Sequence, residues 1–294
     1  MSTMASLISQ ISTTHLSHNP RISQSVKISL KKPNLSFKGS QLTFGLNKRH
    51  GIIVACSQKS VTFADVVGLD HVKDELQQVV DFLKNPNKFH EMGIHFPVGV
   101  LLLGPPGTGK SLLANALSWE SATPLLSCSP RECVCFTDLF ARAKKTRSII
   151  LIDEIDAIEK QDLRELFIEM DKIEKNPGVI VLATTNREDP LDEALFRRGR
   201  FELVLRLEVP DTASRNAILE ALVSKKRFSL GEDLNLAEIA SMTTGFSGAE
   251  LANVVDEAAL LAAGEYRSVV GMIDFVIAVE QSTARKRNYQ DMSC

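Results

Sequence analysis

Residues 104–111 constrain this chain more than any other stretch, because they read Gly-Pro-Pro-Gly-Thr-Gly-Lys-Ser. They fit the pattern G-x-x-x-x-G-K-[ST]. The apolar run 98–103 before them predicts a buried parallel strand, and residues 111–119 after them predict a helix. Glycines let backbone N–H groups turn inward, and the following helix presents its positive N-terminus to an anion. The stretch therefore predicts a loop that holds phosphate groups.

Two side chains of this loop have predicted roles of their own. Lys110 supplies a positive charge to the β- and γ-phosphates of a nucleotide, and Ser111 offers a hydroxyl to Mg²⁺. The alternative is a chance glycine-rich turn, which average residue usage would give in about one random chain of this length in a hundred. The strand and helix on either side favour the nucleotide site with ATP and Mg²⁺ as its ligands.

A second apolar strand, residues 148–152, ends in acidic residues. Ligands of parallel sheets bind at the carboxyl ends of the strands. Asp153 is therefore predicted to hold Mg²⁺, directly or through water, and Glu154 to act as the general base on the attacking water. Asp156 has no catalytic role in this scheme and is predicted to cap the next helix. Solvated acids at an ordinary strand end are the alternative.

Polar residues also follow a third apolar strand, residues 179–183. Asn186 is predicted to hydrogen-bond the γ-phosphate or the attacking water, with a loop-capping asparagine as the alternative. Three arginines then occur within residues 196–201. Arg200 is predicted to act in trans on a neighbouring subunit of a ring, where it stabilises transition-state charge. A basic surface turn is the alternative.

These motifs, in this order, resemble the AAA+ ATPase module, and within that group the FtsH-type module. The similarity covers residues 61 to about 280. Further matching segments are Val-Thr-Phe-Ala-Asp-Val-Val-Gly-Leu-Asp at 61–70, Val-Val-Asp-Phe-Leu-Lys-Asn-Pro at 79–86, residues 183–187, Leu191-Asp192, Gly-Arg-Phe at 199–201 and Thr-Gly-Phe-Ser-Gly-Ala-Glu-Leu at 244–251.

The resemblance implies a full set of site residues. Val66, Val67 and Gly68 would line the adenine pocket, and Gly248 and Ala249 would close it from a small helical subdomain. The expected nucleotide-binding set is Val66, Val67, Gly68, Pro106, Gly107, Thr108, Gly109, Lys110, Ser111, Leu112, Gly248 and Ala249. The expected catalytic set is Asp153, Glu154, Asn186 and Arg200, with Ser111 and Asp153 as the magnesium ligands.

The FtsH family joins this ring to a membrane anchor and a zinc protease, and the protease requires H-E-x-x-H on a helix. The nearest string here, residues 90–95, has one residue too many, which places His90 and His95 roughly 140° apart on a helix. Gly93 weakens a helix further. We therefore expect a loop with two solvated histidines and no zinc site. The chain reaches Cys294 without the motif, so peptidase activity is not expected.

The segment that threads substrate in the family also differs here. Its aromatic-Val-Gly loop is missing from residues 129–140, and Phe136 is predicted to join the core beside Leu139 and Phe140. The Gly- and Arg-rich insert that follows the acidic strand in the family is missing too. Leu203 stands where the family has its second arginine. These differences predict slow ATP turnover by the chain alone and no threading of substrate.

The N-terminal segment has the composition of a targeting peptide. Eight Lys or Arg and many Ser and Thr precede the first acidic residue, Asp65. Residues 1–56 are therefore predicted to be a disordered chloroplast transit peptide that ends at Ala55-Cys56. A mitochondrial presequence and a disordered basic tail are the alternatives. The mature protein is expected in the stroma or at the periphery of a chloroplast membrane.

The remaining chain predicts two subdomains. Residues 57–210 are predicted to form an α/β P-loop AAA+ sheet with helices on both faces, and residues 211–284 a small all-α lid without strands. Residues 285–294 are predicted to be a tail. Residues 70–83 carry a helical apolar stripe, and Ser247 with Glu250 forms a capping box.

Several partner classes are not supported by the composition. No apolar run approaches the ~20 residues that span a bilayer, and nothing indicates nucleic acid. No two of the five cysteines are spaced as C-x-x-C, so thiols are expected, with redox sensing as the alternative. The cysteines are Cys56, Cys128, Cys133, Cys135 and Cys294.

Three interpretations of function remain open from the sequence. The first is an ATP-hydrolysing AAA+ protein that works without proteolysis, as an inactive homologue of the proteases. The second is a non-catalytic nucleotide-binding subunit or adaptor in a mixed ring of FtsH-like proteins. The third is a truncated gene product without an independent role.

Overall fold

A six-stranded sheet forms the centre of the N-terminal part of the protein. The computed structural model describes residues 53–55, 61–94, 96–128, 135–173, 178–187 and 192–291. The strand order is β1-β3-β4-β5-β2-β6, with β1 antiparallel to β3 and the other five strands parallel. The strands are β1 (Ile53–Ala55), β2 (Gly99–Leu103), β3 (Leu125–Cys128), β4 (Ile149–Ile152), β5 (Ile180–Thr185) and β6 (Phe201–Arg206).

Helices cover both faces of this sheet, because alternate side chains of each buried strand point to opposite faces. Leu101 and Ile150 belong to one core cluster, whereas Val100 and Ile149 belong to the other. This confirms the predicted α/β fold. The helices of this part are α1 (Asp70–Lys84), α2 (Pro86–Glu91), α3 (Lys110–Glu120), α4 (Phe136–Thr146) and α5 (Lys160–Ile173). The core cluster that contains Leu101 and Ile150 also contains residues of α4 and α5, and the cluster that contains Val100 and Ile149 also contains residues of α1 and α3.

The C-terminal part is a helical lid with its own core, which includes Leu219, Leu251, Val255 and Phe275. Its helices are α6 (Thr212–Ser224), α7 (Leu236–Met242), α8 (Gly248–Gly264) and α9 (Met272–Asp291). The capping box of Ser247 and Glu250 is confirmed at the start of α8.

Two short strands correct the prediction that strands stop after residue 211. The strands β7 (Ser229–Leu230) and β8 (Val269–Val270) pair in parallel within the lid. Each lies in a connection between helices and is only two residues long, so it has no alternating pattern to find in the sequence. The physical reason for the pairing is that two connecting segments satisfy each other's backbone groups.

The predicted tail is also wrong for residues 285–291, because α9 continues to Asp291. Its basic residues face acids of α8. Arg285 pairs with Glu257, and the Lys286 ammonium lies 3.0 Å from a Glu250 carboxylate oxygen. Lys286 also donates to the Gly245 carbonyl at 2.8 Å. These partners lie at least 28 positions earlier in the sequence, so local sequence patterns do not reveal them.

The N-terminal predictions are only partly covered by the described residues. The strand β1 falls inside the predicted transit peptide, where no strand was expected, and its backbone pairs with β3. The rest of residues 1–56 lies outside the described chain. The expected loop around the histidines begins later than predicted, because α2 contains His90 and ends at Glu91. His95 lies outside the described residues.

Phe136 is buried at the start of α4 and packs in the same core cluster as Leu139 and Phe140, as predicted.

Within the described ranges, no helix is long and apolar enough to cross a membrane. No group of three or more His, Cys, Asp or Glu in that part of the chain is arranged to hold a metal ion.

The expectation of thiols is wrong for Cys128, which is disulfide-bonded, whereas Cys135 is a free cysteine. A search for C-x-x-C examines only cysteines three positions apart, so it could not find this bond. Cys56, Cys133 and Cys294 lie outside the described residues.

Candidate active site

A cavity of about 620 Å³ lies between the carboxyl ends of the parallel strands and the lid. That size is within the range of small-molecule and cofactor sites. Fourteen of the residues predicted from the sequence line it together: Val66, Val67, Pro106, Gly107, Thr108, Gly109, Lys110, Ser111, Leu112, Asp153, Glu154, Asn186, Gly248 and Ala249. Residues that sequence reasoning missed are Asp65, Leu69, Ile218, Ala221, Leu222 and Lys225.

The missed residues come mainly from α6 of the lid. Ile218, Ala221 and Leu222 recur at a helical spacing, so one face of α6 meets the cavity. Ile218 and Leu222 also pack against the core of the lid. Together with Val66 and Val67, this face of α6 supplies apolar lining of the cavity.

Gly68 is the predicted binding residue that does not line the cavity. It adopts a left-handed backbone with φ +80°, and a Cβ placed on it would lie 2.7 Å from the Ser214 Cβ. Gly68 therefore lets the segment before α1 approach α6 closely. Its contribution to the site is to position its neighbours Val66 and Val67.

The phosphate loop runs from β2 into α3, and its lysine is buried. Lys110 is only 8% exposed, and its Nζ donates to the Gly104 carbonyl at 2.7 Å and to the Pro105 carbonyl at 2.8 Å. Burial lowers the pKa of Lys110, and the charges of Asp153 and Asp156 partly oppose that shift. The loop thus holds a poorly hydrated cation beside two carboxylates, where an anionic ligand gains most from it.

Asp153 and Glu154 follow β4 at the floor of the cavity. Glu154 has a left-handed backbone, with φ 58° and ψ 57°, which is uncommon for a residue with a side chain. Asp153 and the Ser111 hydroxyl line the same cavity. Mg²⁺ is commonly held by one or two protein oxygens together with phosphates, so this pair fits a nucleotide-bound magnesium ion.

Asp156 does not cap a helix, which corrects the sequence prediction. Its carboxylate accepts a hydrogen bond from the Thr185 hydroxyl at 2.7 Å and lies 3.7 Å from the Arg187 Nε. The capping rule considers only local partners, whereas these partners lie at the end of the neighbouring strand β5. Asp156 thus ties the segment after β4 to the segment after β5.

Asn186 lines the cavity, as predicted. Arg200, which was predicted to act on a neighbouring subunit, is not among the lining residues. The Arg200 guanidinium lies 4.0 Å from the centre of the Phe167 ring and donates to the Ala194 carbonyl at 2.7 Å. It also pairs with Asp171 at 3.4 Å, and its side chain is only 13% exposed. Arg200 is therefore held against its own subdomain, away from the cavity of its own chain.

Two contacts connect the lid to the walls of the cavity. The Ala249 N–H donates to the Gly107 carbonyl at 3.2 Å. Lys225, the residue directly after α6, pairs with Asp65 at 3.0 Å. A backbone hydrogen bond from Thr62 and the bond from Lys225 lower the pKa of Asp65 to about 2. The lid therefore contacts both the phosphate loop and the segment before α1.

We expect Gly107→Ala to weaken ATP binding about tenfold, which corresponds to about 1.4 kcal/mol. Its backbone is left-handed, with φ +79°, and an added Cβ would lie 2.7 Å from the Ser247 Oγ and 2.9 Å from the Ala249 Cβ. The lid must shift away from the loop to make room. Calorimetric titration with ATP and Mg²⁺ measures the change.

Gly93→Ala is the matched control, because Gly93 has φ +65° but nothing within 4 Å of the added Cβ. It carries the same kind of backbone strain without the clash and lies outside the cavity lining. Equal loss of affinity in the two variants would show that contact between lid and loop does not matter for binding.

Comparison with known proteins agrees with this geometry. The family model described as "ATPase family associated with various cellular activities (AAA)" matches residues 100–209, and the "AAA+ lid domain" matches residues 233–277. These matches cover the phosphate loop, the acidic strand end and part of the helical lid. This part of the chain is an AAA ATPase module. The module is also similar to that of FtsH proteins, which confirms the resemblance stated from the sequence.

Three relatives illustrate the similarity. "ATP-dependent zinc metalloprotease FTSH 9, chloroplastic" of Arabidopsis thaliana is 50% identical over 251 residues, which cover 77% of this chain and 31% of that protein. "ATP-dependent zinc metalloprotease FTSH 7, chloroplastic" of Oryza sativa subsp. japonica is 48% identical over 259 residues, which cover 80% of this chain and 32% of that protein. FtsH 4 of Sphaerobacter thermophilus is 41% identical over 268 residues, or 83% and 40%. The chain therefore spans between about a third and two fifths of the length of these relatives.

Proposed function

We propose that this protein binds ATP with Mg²⁺ in the cavity between sheet and lid and hydrolyses it. One observation carries the proposal: the buried Lys110 ammonium, the acids Asp153 and Glu154, and the amide of Asn186 line one cavity that also has apolar lining residues, among them Val66, Val67 and Ile218. A nucleotide likewise combines charged phosphates with a largely apolar base. The AAA ATPase match supports the activity.

Binding divides between the two ends of the cavity. Val66, Val67 and Ile218 enclose the base, whose burial removes apolar surface from water. Lys110 and the backbone N–H groups of the loop hold the phosphates. Ser111 and Asp153 would hold Mg²⁺, which neutralises charge on the β- and γ-phosphates when bound.

Hydrolysis depends on two further side chains. Glu154 accepts a proton from the attacking water as that water adds to the γ-phosphorus, and the bond to the ADP oxygen breaks. Asn186 orients the water or a γ-phosphate oxygen through its amide. Both residues line the same cavity as Asp153.

We also propose that the module acts in a ring, as AAA+ proteins usually do, and that Arg200 serves a neighbouring subunit. Contacts with Phe167 and Asp171 would hold its guanidinium in a fixed position. Leu203, at the position of the family's second arginine, packs against the core and has no donor to offer. Turnover by the chain alone is therefore proposed to be slow.

Leu203 also favours the second candidate, a nucleotide-binding subunit or adaptor in a mixed ring. In such a ring FtsH-like neighbours would supply the missing arginine, and this chain would contribute a bound nucleotide and contact surface. Threading of substrate by a ring of this chain alone is not expected under either candidate.

We propose that the described module works without peptidase activity, and that the protein acts in a chloroplast. The first part rests on the spacing of His90 and His95 and on the end of α2 at Glu91, which precludes H-E-x-x-H geometry there. The second rests on the acid-free residues 1–56 and on the plant relatives named as chloroplastic. Import of a fluorescent protein fused to residues 1–60 tests the compartment.

The activity is tested with the purified chain by measuring ATP binding, phosphate release and casein cleavage in parallel. We expect ATP binding that requires Mg²⁺ for full affinity, slow phosphate release and no cleavage that a zinc chelator abolishes. Phosphate release should rise on mixing with FtsH-like subunits that carry both arginines. Chelator-sensitive cleavage by the chain alone would contradict the proposal that the module lacks peptidase activity. Absence of ATP binding would contradict the proposal that the protein binds and hydrolyses ATP.

A further inference from the structure

Thr184, near the end of β5, is buried beneath the acidic residues of the site. Thr184 is only 1% exposed to solvent. Its hydroxyl accepts a hydrogen bond from the Glu154 backbone N–H at 3.1 Å and donates a short one to Asp153 Oδ1. A single hydroxyl thus contacts both acids that follow the neighbouring strand β4.

The local backbone explains why this contact matters. Glu154 is held in the left-handed region, which persists for a residue with a side chain only when its surroundings enforce it. The Thr184 hydroxyl satisfies the Glu154 N–H in that conformation. A backbone N–H without a partner at such a position would favour a different conformation of the segment.

The donated hydrogen bond orients the other acid. Asp153 Oδ1 accepts the Thr184 hydroxyl, so the rotation of the carboxylate is restricted and its second oxygen is left for a different ligand. Asp153 and Glu154 both line the cavity, whereas Thr184 lies behind them and outside its lining. Thr184 therefore acts on the site only through these two residues.

We propose that Thr184 is a positioning residue for ATP hydrolysis, whose hydroxyl sets the orientation of the Asp153 carboxylate and the backbone of Glu154. The inference rests on the proposed function. Thr184 would influence metal binding and water activation through Asp153 and Glu154. The base and phosphates of the nucleotide would be bound by other residues.

The adjacent residue offers a matched control. The Thr185 hydroxyl donates to Asp156 at 2.7 Å and accepts the Arg187 N–H at 3.1 Å, so it links the same two strand ends. Thr185 is as buried as Thr184. Within the described part of the chain, the hydrogen bonds of its hydroxyl go to Asp156 and Arg187 and not to Asp153 or Glu154. Replacing either threonine by valine removes one hydroxyl at nearly constant volume.

The test compares Thr184→Val, Thr184→Ser and Thr185→Val in the full chain. We measure kcat and KM for ATP, the Mg²⁺ concentration that gives half-maximal rate, ATP affinity by calorimetry, and Tm. Thr184→Val should lower kcat about ten- to a hundredfold and raise the Mg²⁺ requirement, because small misplacements of catalytic groups have effects of this size. Its ATP affinity without Mg²⁺ should change less than about twofold, since the phosphate loop is untouched.

Thr184→Ser should recover most of the wild-type kcat. Thr185→Val should lower Tm about as much as Thr184→Val does, but it should change kcat little. Equal loss of kcat in the two valine variants, or wild-type kcat and Mg²⁺ dependence in Thr184→Val, would overturn the role of Thr184. If the wild-type chain binds ATP without measurable turnover, the Mg²⁺ dependence of binding provides the readout. If it does not bind ATP, the proposed function itself fails.

Discussion

Lys110→Ala is expected to weaken binding of ATP and Mg²⁺ by at least about thirtyfold, which corresponds to about 2 kcal/mol. The Lys110 ammonium is 8% exposed and lies within the phosphate loop, so the mutation removes a desolvated charge that water cannot replace. Its hydrogen bonds to the Gly104 and Pro105 carbonyls also disappear, so the free energy of unfolding is expected to fall modestly.

Calorimetry on the purified variant measures the loss of affinity, and circular dichroism with a Tm measurement establishes that it is folded. Lys172→Ala is the control, because Lys172 is exposed on α5, pairs with Glu169 and lies outside the cavity lining. Wild-type affinity in folded Lys110→Ala would show that residues 104–111 do not hold the phosphates.

The sequence predicted the phosphate loop and the acidic strand end because these motifs are local. The order strand, loop, helix is read directly from residues 98–119, and the fold then brings the loop to the same edge as Asp153 and Asn186. Parallel strands place their carboxyl ends together, so the loop, Asp153 and Asn186 meet in one cavity. These residues could be found from their own neighbours in the sequence. The other predicted lining residues, Val66, Val67, Gly248 and Ala249, were assigned only from the family resemblance.

The features that were missed depend on distant partners. Asp156 was assigned to a helix cap, but its partners are Thr185 and Arg187 at the end of another strand. The basic residues after position 284 were assigned to a tail, but two of them pair with acids of α8. Short-range rules describe what a side chain does to its own backbone, and they do not describe packing between elements.

Glu154→Gln is the prediction that best separates the two candidate functions. The substitution keeps the size and hydrogen-bonding capacity of the side chain but removes its basicity. ATP affinity should stay within about threefold of wild type, because Lys110 and the loop are unchanged. The rate of phosphate release should fall about 10²- to 10⁴-fold, which is the usual contribution of a general base.

Single-turnover phosphate release measures this rate even when turnover of the wild-type chain is slow. Glu280→Gln is the control, because Glu280 is exposed on α9 and lies outside the cavity lining. Undiminished phosphate release by Glu154→Gln would mean that another group activates the water, and the assignment from the strand end would be wrong.

The same variant decides what this chain does in a mixed ring. If this chain is an ATPase that lacks one arginine, FtsH-like partners supply that arginine, and the phosphate release that they stimulate should disappear with Glu154→Gln. If the chain is an adaptor, the stimulated release comes from the partners' own sites and should survive the substitution. An arginine supplied in trans contributes roughly 10³- to 10⁵-fold in rate, so the two outcomes differ by far more than the error of the assay. Lys110→Ala in the same mixture completes the comparison, because an adaptor that must hold ATP loses its effect with that variant but not with Glu154→Gln.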